Sequence, residues 1–216
     1  MSEINDLRER ICLFARALHT RGLTHGSTGN ISARTPDGGL LVTPTGSSFL
    51  TLDPARLSRF DADLNHVEGD RPTKEMPLHR AFYDTRSTAG AIVHLHSAHS
   101  VALSTLPDVD EDDFIPPLTP YPIMQLGRVK LLPYFMPGDE AIGEAIRGLA
   151  GKRSAVMLAN HGPVVAGKHL DAAVYAIEEL EAGAQLALMT RGLGARGLTG
   201  DQVRRLVTTF DVEWDA

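Results

Sequence analysis

The sequence predicts an α/β fold, a single domain over residues 1–216 with a mixed β-sheet flanked by helices. Short runs of apolar and β-branched residues alternate with longer stretches of helical periodicity, the pattern of an α/β chain. Hairpin signals in the first third of the chain require some antiparallel neighbours, which argues for a mixed rather than an all-parallel sheet. No Pro/Ser-rich linker or composition break divides the 216 residues, and 43% hydrophobic content is enough for one sizeable core.

The elements follow in order. Residues 4–21 place Ile4, Leu7, Ile11, Phe14, Ala15 and Leu18 at helical spacing, with Gly22 as the stop. "NISAR" and "LLVTP" read as strands on either side of "TPDGG", a hairpin turn signal. A second turn, "EGDRP", precedes Glu75, and Pro77 suits the first turn of a helix whose buried face is Leu78, Phe82 and Tyr83. "AIVHLH" (91–96) reads as a buried strand and "HSVAL" as the start of a short helix. Residues 107–122 carry five prolines and several acids, which predicts an irregular loop. "VKLLPY" is a strand, "GDEAIGEAIRGLA" a helix, and "SAVMLAN" a buried strand closed by "HGP". An alanine-rich helix spans 169–191, and Val203, Leu206 and Val207 mark a last helical pattern whose segment is a candidate cover for a neighbouring subunit's site.

Bulk properties exclude several function classes. A net charge of -6 gives no overall cationic field for nucleic acid or anionic lipid, so any bound anion must be met locally. The N-terminal "MSEINDLRER" lacks the apolar region of a signal peptide, and no apolar run approaches the ~20 residues of a membrane span. The single cysteine, Cys12, has no internal partner, which fits a reducing compartment. The expectation is a soluble cytoplasmic protein.

Histidines carry the chemistry. On a strand, residues two apart share a face, so His94 and His96 project together and can share one divalent cation. Two histidines hydrogen-bonded at a strand end is the competing reading. His99 falls beyond the strand, on the following turn or helix, and is assigned to structure or to supporting the other two from behind. His161, in "LANHGP", sits where an apolar strand meets a Gly-Pro turn, a place for a functional side chain or a turn cap. Three imidazoles together would leave an open coordination position, the catalytic arrangement for zinc. Glu75 is either the acid–base partner or a cap at a helix start. "HGSTGNIS" (25–32) and "TPTGSS" (43–48) join glycines and hydroxyls at turns, which suits phosphate oxygens, although neither is a Walker motif.

Taken together, "GSTGNIS", "LLVTPTGSS", "PTKEMPLHRAFY", "AIVHLHSAHSVALS" and "VMLANHGPVVAG" resemble the class II aldolase/adducin family, in family order over residues 7–190. The resemblance implies that family's head fold and a homotetramer with active sites between subunits. It implies His94, His96 and His161 as ligands of Zn2+ (or Mn2+ or Co2+), and Glu75 as a group that approaches the metal in the free enzyme and transfers a proton. Gly29, Asn30, Thr45, Gly46 and Thr73 resemble the phosphate-binding positions, and Tyr121 a proton-donating tyrosine supplied by the adjacent subunit.

One departure bears on substrate. Sugar-phosphate aldolases of the fuculose-phosphate type carry Ser-Ser before the glutamate, whereas this chain reads Thr73-Lys74-Glu75. "TKE", "TPYPIM" and "LLPYFMPGD" look closer to the 3-oxo-tetronate 4-phosphate decarboxylases, whose substrate carries a carboxylate as well as a phosphate. Lys74 then suits the added charge. The expected activity is decarboxylation to dihydroxyacetone phosphate and CO2. Retro-aldol cleavage, epimerisation and a non-catalytic adducin-like interaction module are the alternatives. The expected partner is a small phosphorylated sugar acid or sugar, with no nucleic acid and no membrane.

Overall fold

The computed structural model describes residues 3–214. Helix α1 (Glu3–Thr20) leads into β1 (Asn30–Arg34), β2 (Leu40–Val42), β3 (Ser58–Phe60) and β4 (His66–Glu68), and then α2 (Met76–Thr85). Next come β5 (Ala91–His94), α3 (Ala98–Ser104), α4 (Pro120–Leu126), β6 (Lys130–Leu132) and α5 (Glu140–Gly148). The chain closes with β7 (Ala155–Leu158), β8 (Gly162–Gly167), α6 (Leu170–Thr190) and α7 (Gly200–Phe210). The strands form one 8-stranded sheet in the order β4-β3-β2-β1-β5-β8-β7-β6. Every pairing is antiparallel except β6 with β7, so the sheet is mixed, as the hairpin signals predicted.

The strand period of two sorts the core into two layers. Ile31, Ala33, Ala91, Val93, Met157 and Val165 face α1 and α6 on one side of the sheet. Ile92, Val156, Leu158, Val164 and Ala166 face α2 and α5 on the other. The central strands β5, β7 and most of β8 are buried on both faces, which explains why they read as continuous apolar runs. His94 lies two residues beyond Ile92, so the strand period directs it to the face that α2 covers.

Four details differ from the sequence reading. "GPVVAG" is strand β8, in the middle of the sheet, where the expectation was only a closing turn. Pro163 is accommodated because it occupies the strand's second residue beside the β7–β8 turn. Strands β3 and β4 are three residues each, too short for an alternation signal. The strand "AIVHLH" stops at His94, leaving His96 on the link to α3. The predicted loop 107–122 ends early, because Pro120 and Pro122 lie in the first turn of α4, where a missing N–H costs nothing.

The C-terminal segment packs on its own chain. Helix α7 lies against α4, and Glu213 pairs with Arg86 at 2.6 Å, at the opposite end of α2 from Glu75. Met1, Ser2, Asp215 and Ala216, the outermost residues of "MSEINDLRER" and of the C-terminal pattern, lie outside the described residues.

Candidate metal centre

Two connections at one end of the central strands meet at one point. His94 ends β5, and His96 follows two residues later. His161 arrives from the β7–β8 turn, which Asn160 makes at φ 57, a left-handed conformation that asparagine tolerates. Gly162 next to it has no side chain for a steric reason: a Cβ there would sit 2.0 Å from the Leu95 carbonyl oxygen. This close approach sets the β8 edge against the residue between the two strand-end histidines.

The donor atoms of Glu75, His94, His96 and His161 all lie within 4.8 Å of one another. His94 Nε2 is 3.1 Å from His96 Nε2, and the three imidazole centroids are 4.8–5.0 Å apart. His94 Nδ1 lies 2.9 Å from the Pro163 carbonyl, which can only accept, so Nδ1 carries the proton and the Nε2 lone pair faces the cluster. Sequence spacing left open whether His161 meets the other two, and the structure brings them together.

Glu75 joins from the start of α2, on the face of the sheet to which β5 directs His94. It is the residue ahead of α2, yet its side chain makes no capping hydrogen bond and turns into the cluster instead. Its Oε2 accepts from Asn30 Nδ2 at 2.7 Å and lies 3.5 Å from His94 Nε2, and its Oε1 is 3.2 Å from His161 Nε2. Burial raises the Glu75 pKa, but His94, His161 and the Asn30 hydrogen bond outweigh it and hold the carboxyl well below the usual range. The pKa values of His94 and His96 are lowered as well. Burial first, then its histidine neighbours, pushes His96 down to about 3, and burial likewise lowers His94. The cluster therefore presents the neutral imidazoles of His94 and His96 beside one carboxylate at neutral pH.

The residues fit a divalent cation. Glu75 Oε1 and both ring nitrogens of His161 are buried without a hydrogen-bond partner among the described residues. Buried polar atoms left unpaired are costly, and a shared cation is the partner that converging lone pairs call for. Three imidazoles and one carboxylate are donors suited to borderline divalent metals.

A cavity of about 350 Å³ opens beside the cluster, lined by Gly29, Asn30, Thr45, Gly46, Thr73, Lys74, Glu75 and His96. All six residues expected at the phosphate and carboxylate positions reach it. An isolated bridge between Pro44 and Pro72 carries the 43–48 turn against Thr73, and Thr73 Oγ1 accepts from the Glu75 N–H at 3.2 Å. Gly29 adopts φ +83, which glycine permits, and a Cβ there would lie 3.0 Å from the His94 carbonyl oxygen. Tyr121 is not in this group. It sits in the first turn of α4, 58% exposed, and does not line the cavity of its own chain. His99 is outside the cluster too: its ring and backbone N–H meet Glu181, which also accepts from the Ser100 N–H and so caps α3.

Sequence reasoning missed two features. The 133–139 loop reaches the cavity through Pro137, and a Cβ on Gly138 would stand 3.2 Å from the Lys74 carbonyl oxygen. His79 lies buried behind Asn30, four residues after Glu75 on α2. The signal for it was the Glu75, His79, Tyr83 spacing, one face of a helix at every fourth residue.

Comparison with known proteins agrees with this geometry. The profile of the class II aldolase and adducin N-terminal domain matches residues 9–188. A 3-oxo-tetronate 4-phosphate decarboxylase of Escherichia coli K12 is 44% identical over 200 residues, 93% of this chain and 94% of its own. An L-fuculose phosphate aldolase of the same organism is more distant, at 32% over 87% of this chain and 85% of its own. Among solved structures, Escherichia coli YgbL superimposes with a TM-score of 0.92 at 42% identity, covering 95% of this chain and 99% of that one. The chain belongs to the class II aldolase and adducin family.

Proposed function

We propose that this chain is a metal-dependent lyase that decarboxylates a 3-oxo-tetronate 4-phosphate to dihydroxyacetone phosphate and CO2. The observation that carries the reading is Lys74 beside Glu75 on one wall of the cavity, with Gly29, Thr45, Gly46 and Thr73 around it. A substrate with a phosphate and a carboxylate needs a hydroxyl-and-amide cradle plus a separate cation. Among the described residues, Lys74 is the only lysine or arginine on that lining. Relatives at 42–45% identity bear the name of that activity, while the L-fuculose phosphate aldolases stand at 31–32%.

His94, His96 and His161, with Glu75 beside them, would hold the metal, Zn2+ or alternatively Mn2+ or Co2+, whose charge supplies Lewis-acid polarisation of substrate oxygens. The remaining chemistry falls to the chain's own groups. The cradle and Lys74 orient the substrate so that its carboxylate leaves from a fixed position. Glu75, ionised at rest, accepts the proton of the hydroxyl next to the carboxylate. The carbon–carboxylate bond breaks, CO2 departs, and the electron pair remains as an enediolate. Glu75 then returns its proton through Oε1 to the carbon that lost CO2, and the residual alkoxide takes one proton from water. Oε1 is suited to that transfer because Asn30 occupies only Oε2.

The proposal extends to a cytoplasmic homotetramer in which Tyr121 donates a proton in a neighbour's site. Its exposure at the start of α4 supports that role, and the buried, unpaired Cys12 supports a reducing compartment. Among the described residues no helix is long and apolar enough to cross a membrane.

The test is direct. Metal-loaded protein incubated with 3-oxo-tetronate 4-phosphate should release CO2 and dihydroxyacetone phosphate in equal amounts. Aldehyde from a deoxyketose 1-phosphate without CO2 would make it a retro-aldolase, and isomerised pentulose phosphate without cleavage an epimerase. Protein that purifies without divalent metal and ignores added zinc would be a non-catalytic module.

A further inference from the structure

A buried polar seam runs away from the metal centre between β1 and α2. On β1, Asn30 and Ser32 are two apart and share a face. On α2, His79 and Tyr83 follow Glu75 at intervals of four and share the facing stripe. His79 Nε2 is 2.5 Å from Asn30 Oδ1, and His79 Nδ1 is 2.7 Å from Ser32 Oγ. Ser32 Oγ is 3.0 Å from the Tyr83 hydroxyl, over whose ring the Arg34 guanidinium stands at 4.6 Å. His79 and Ser32 are both fully buried.

The direction of every hydrogen bond in the seam is set by its first member. The Glu75 carboxylate can only accept, so Asn30 must present its amide N–H to it and its carbonyl to His79. That carbonyl can only accept, so His79 Nε2 carries the proton. Burial keeps the ring neutral, with its pKa pushed down to about 3. Nδ1 is therefore an acceptor, Ser32 donates to it, and Tyr83 donates to Ser32. All donors point toward Glu75.

We propose that His79 is a positioning residue for the reaction: through Asn30 it ties Glu75 Oε2 in place and leaves Oε1 as the oxygen that moves the proton. This role rests on Glu75 acting as the proton carrier in the proposed reaction. The seam is a buried polar network with each member satisfied, which holds a geometry better than it adds stability. An asparagine alone could rotate its amide and offer Glu75 an oxygen instead. His79 forbids that rotation, because its protonated Nε2 accepts nothing.

Two independent measurements test it. Long-range nitrogen–proton NMR of the full chain should show His79 as the neutral Nε2–H tautomer throughout pH 5–8. An Nδ1–H tautomer overturns the proposal whatever the enzyme's substrate is. For function, His79→Gln places an amide donor near the Nε2 position, whereas His79→Asn reaches Ser32 and stops short of Asn30. Deuterium uptake from solvent into dihydroxyacetone phosphate reports proton transfer without requiring decarboxylation. His79→Asn should lower this exchange about 10- to 100-fold, with KM unchanged within about two-fold and full metal content, the range for groups that orient a reactive side chain. His79→Gln should recover most of it. Equal loss in both variants would reduce His79 to a packing residue, and no loss in either would remove it from the mechanism. If His79→Asn does not fold, Tyr83→Phe, which deletes the last donor, should cost about five-fold in exchange, as one net hydrogen bond does; an unchanged rate would overturn the relay. Wild-type exchange without CO2 release from the tetronate would sink the decarboxylase reading and leave the His79 inference standing.

Discussion

Gly162→Ala is the sharpest probe of how the fold builds this centre. The new Cβ would stand 2.0 Å from the Leu95 carbonyl oxygen and 3.3 Å from His94 Cε1. A carbon and a carbonyl oxygen need about 3.3 Å, so one backbone must retreat by more than about 1 Å. Both backbones carry members of the cluster: Leu95 lies between His94 and His96, and Gly162 is the residue after His161. Neither can shed the strain into a flexible side chain, because the clash is with main chain where two paired central strands meet their turns. Overpacking of this kind costs about 1–3 kcal/mol, and a 1 Å misplacement of reacting groups about 100-fold in rate. The urea midpoint of metal-free protein should fall by about 1 M for a slope near 2–3 kcal/mol/M. Competition with a chromophoric chelator should show at least about ten-fold weaker metal binding. Gly148→Ala is the control, since a Cβ there meets nothing within 4 Å. Wild-type urea midpoint and metal affinity in Gly162→Ala would refute the claim that this contact sets the ligand geometry.

Other perturbations of the same site have equally definite outcomes. His96→Ala should abolish metal retention and activity together, checked by metal analysis after gel filtration, because removing one donor of three uncouples the site. Glu75→Gln should keep the metal and lose at least about 100-fold in kcat, and unchanged turnover would remove Glu75 from proton transfer. Lys74→Ser should raise KM for the carboxylate-bearing substrate about ten-fold while leaving a phosphorylated ketose without a carboxylate unaffected; equal loss on both would make Lys74 a phosphate ligand. The metal-free protein should lose stability as pH falls. His79 and His96 are held at about 3 in the folded chain against about 6.5 unfolded, and His94 is lowered too, so below pH 6.5 the unfolded chain takes up protons that the folded one refuses. His79 and His96 each contribute up to about 1.4 kcal/mol per pH unit between 6.5 and 4.5, and His94 acts in the same direction. Glu75, whose folded pKa is lowered, supplies stability above its unfolded value that is lost only at more acid pH. A urea midpoint that is flat or rises from pH 6.5 to 4.5 would contradict this.

The histidine cluster was the most legible part of the chain. Two histidines two residues apart share a direction whether the strand ends at His94 or His96, so the H-x-H reading survived the shortening of β5. The helices were legible for a related reason: α1, α5 and α6 repeat one amphipathic period over nine residues or more, which a window can detect. Strand β8 was hidden by Pro163 and its flanking glycines, because its place depends on pairing with β5 and β7 rather than on its own residues. The capping alternative for Glu75 was decided only by which way its side chain turns. The seam of Asn30, Ser32, His79 and Tyr83 was spelled out in the chain as two short periodicities, yet nothing local says that β1 lies against α2.

By itself the sequence determined the features that local period and residue chemistry dictate: an α/β chain, helices with one buried face, a pair of imidazoles facing one way, and a glycine-and-hydroxyl cradle ahead of an acid. Only the tertiary structure decided which of these meet. His161 reaches His94 because β8 pairs beside β5, Glu75 reaches both because α2 covers the face to which β5 directs His94, and Gly162 lets the two edges close to contact. Those meetings depend on pairings across tens of residues, whose register is set by burying the whole sheet rather than by any one segment.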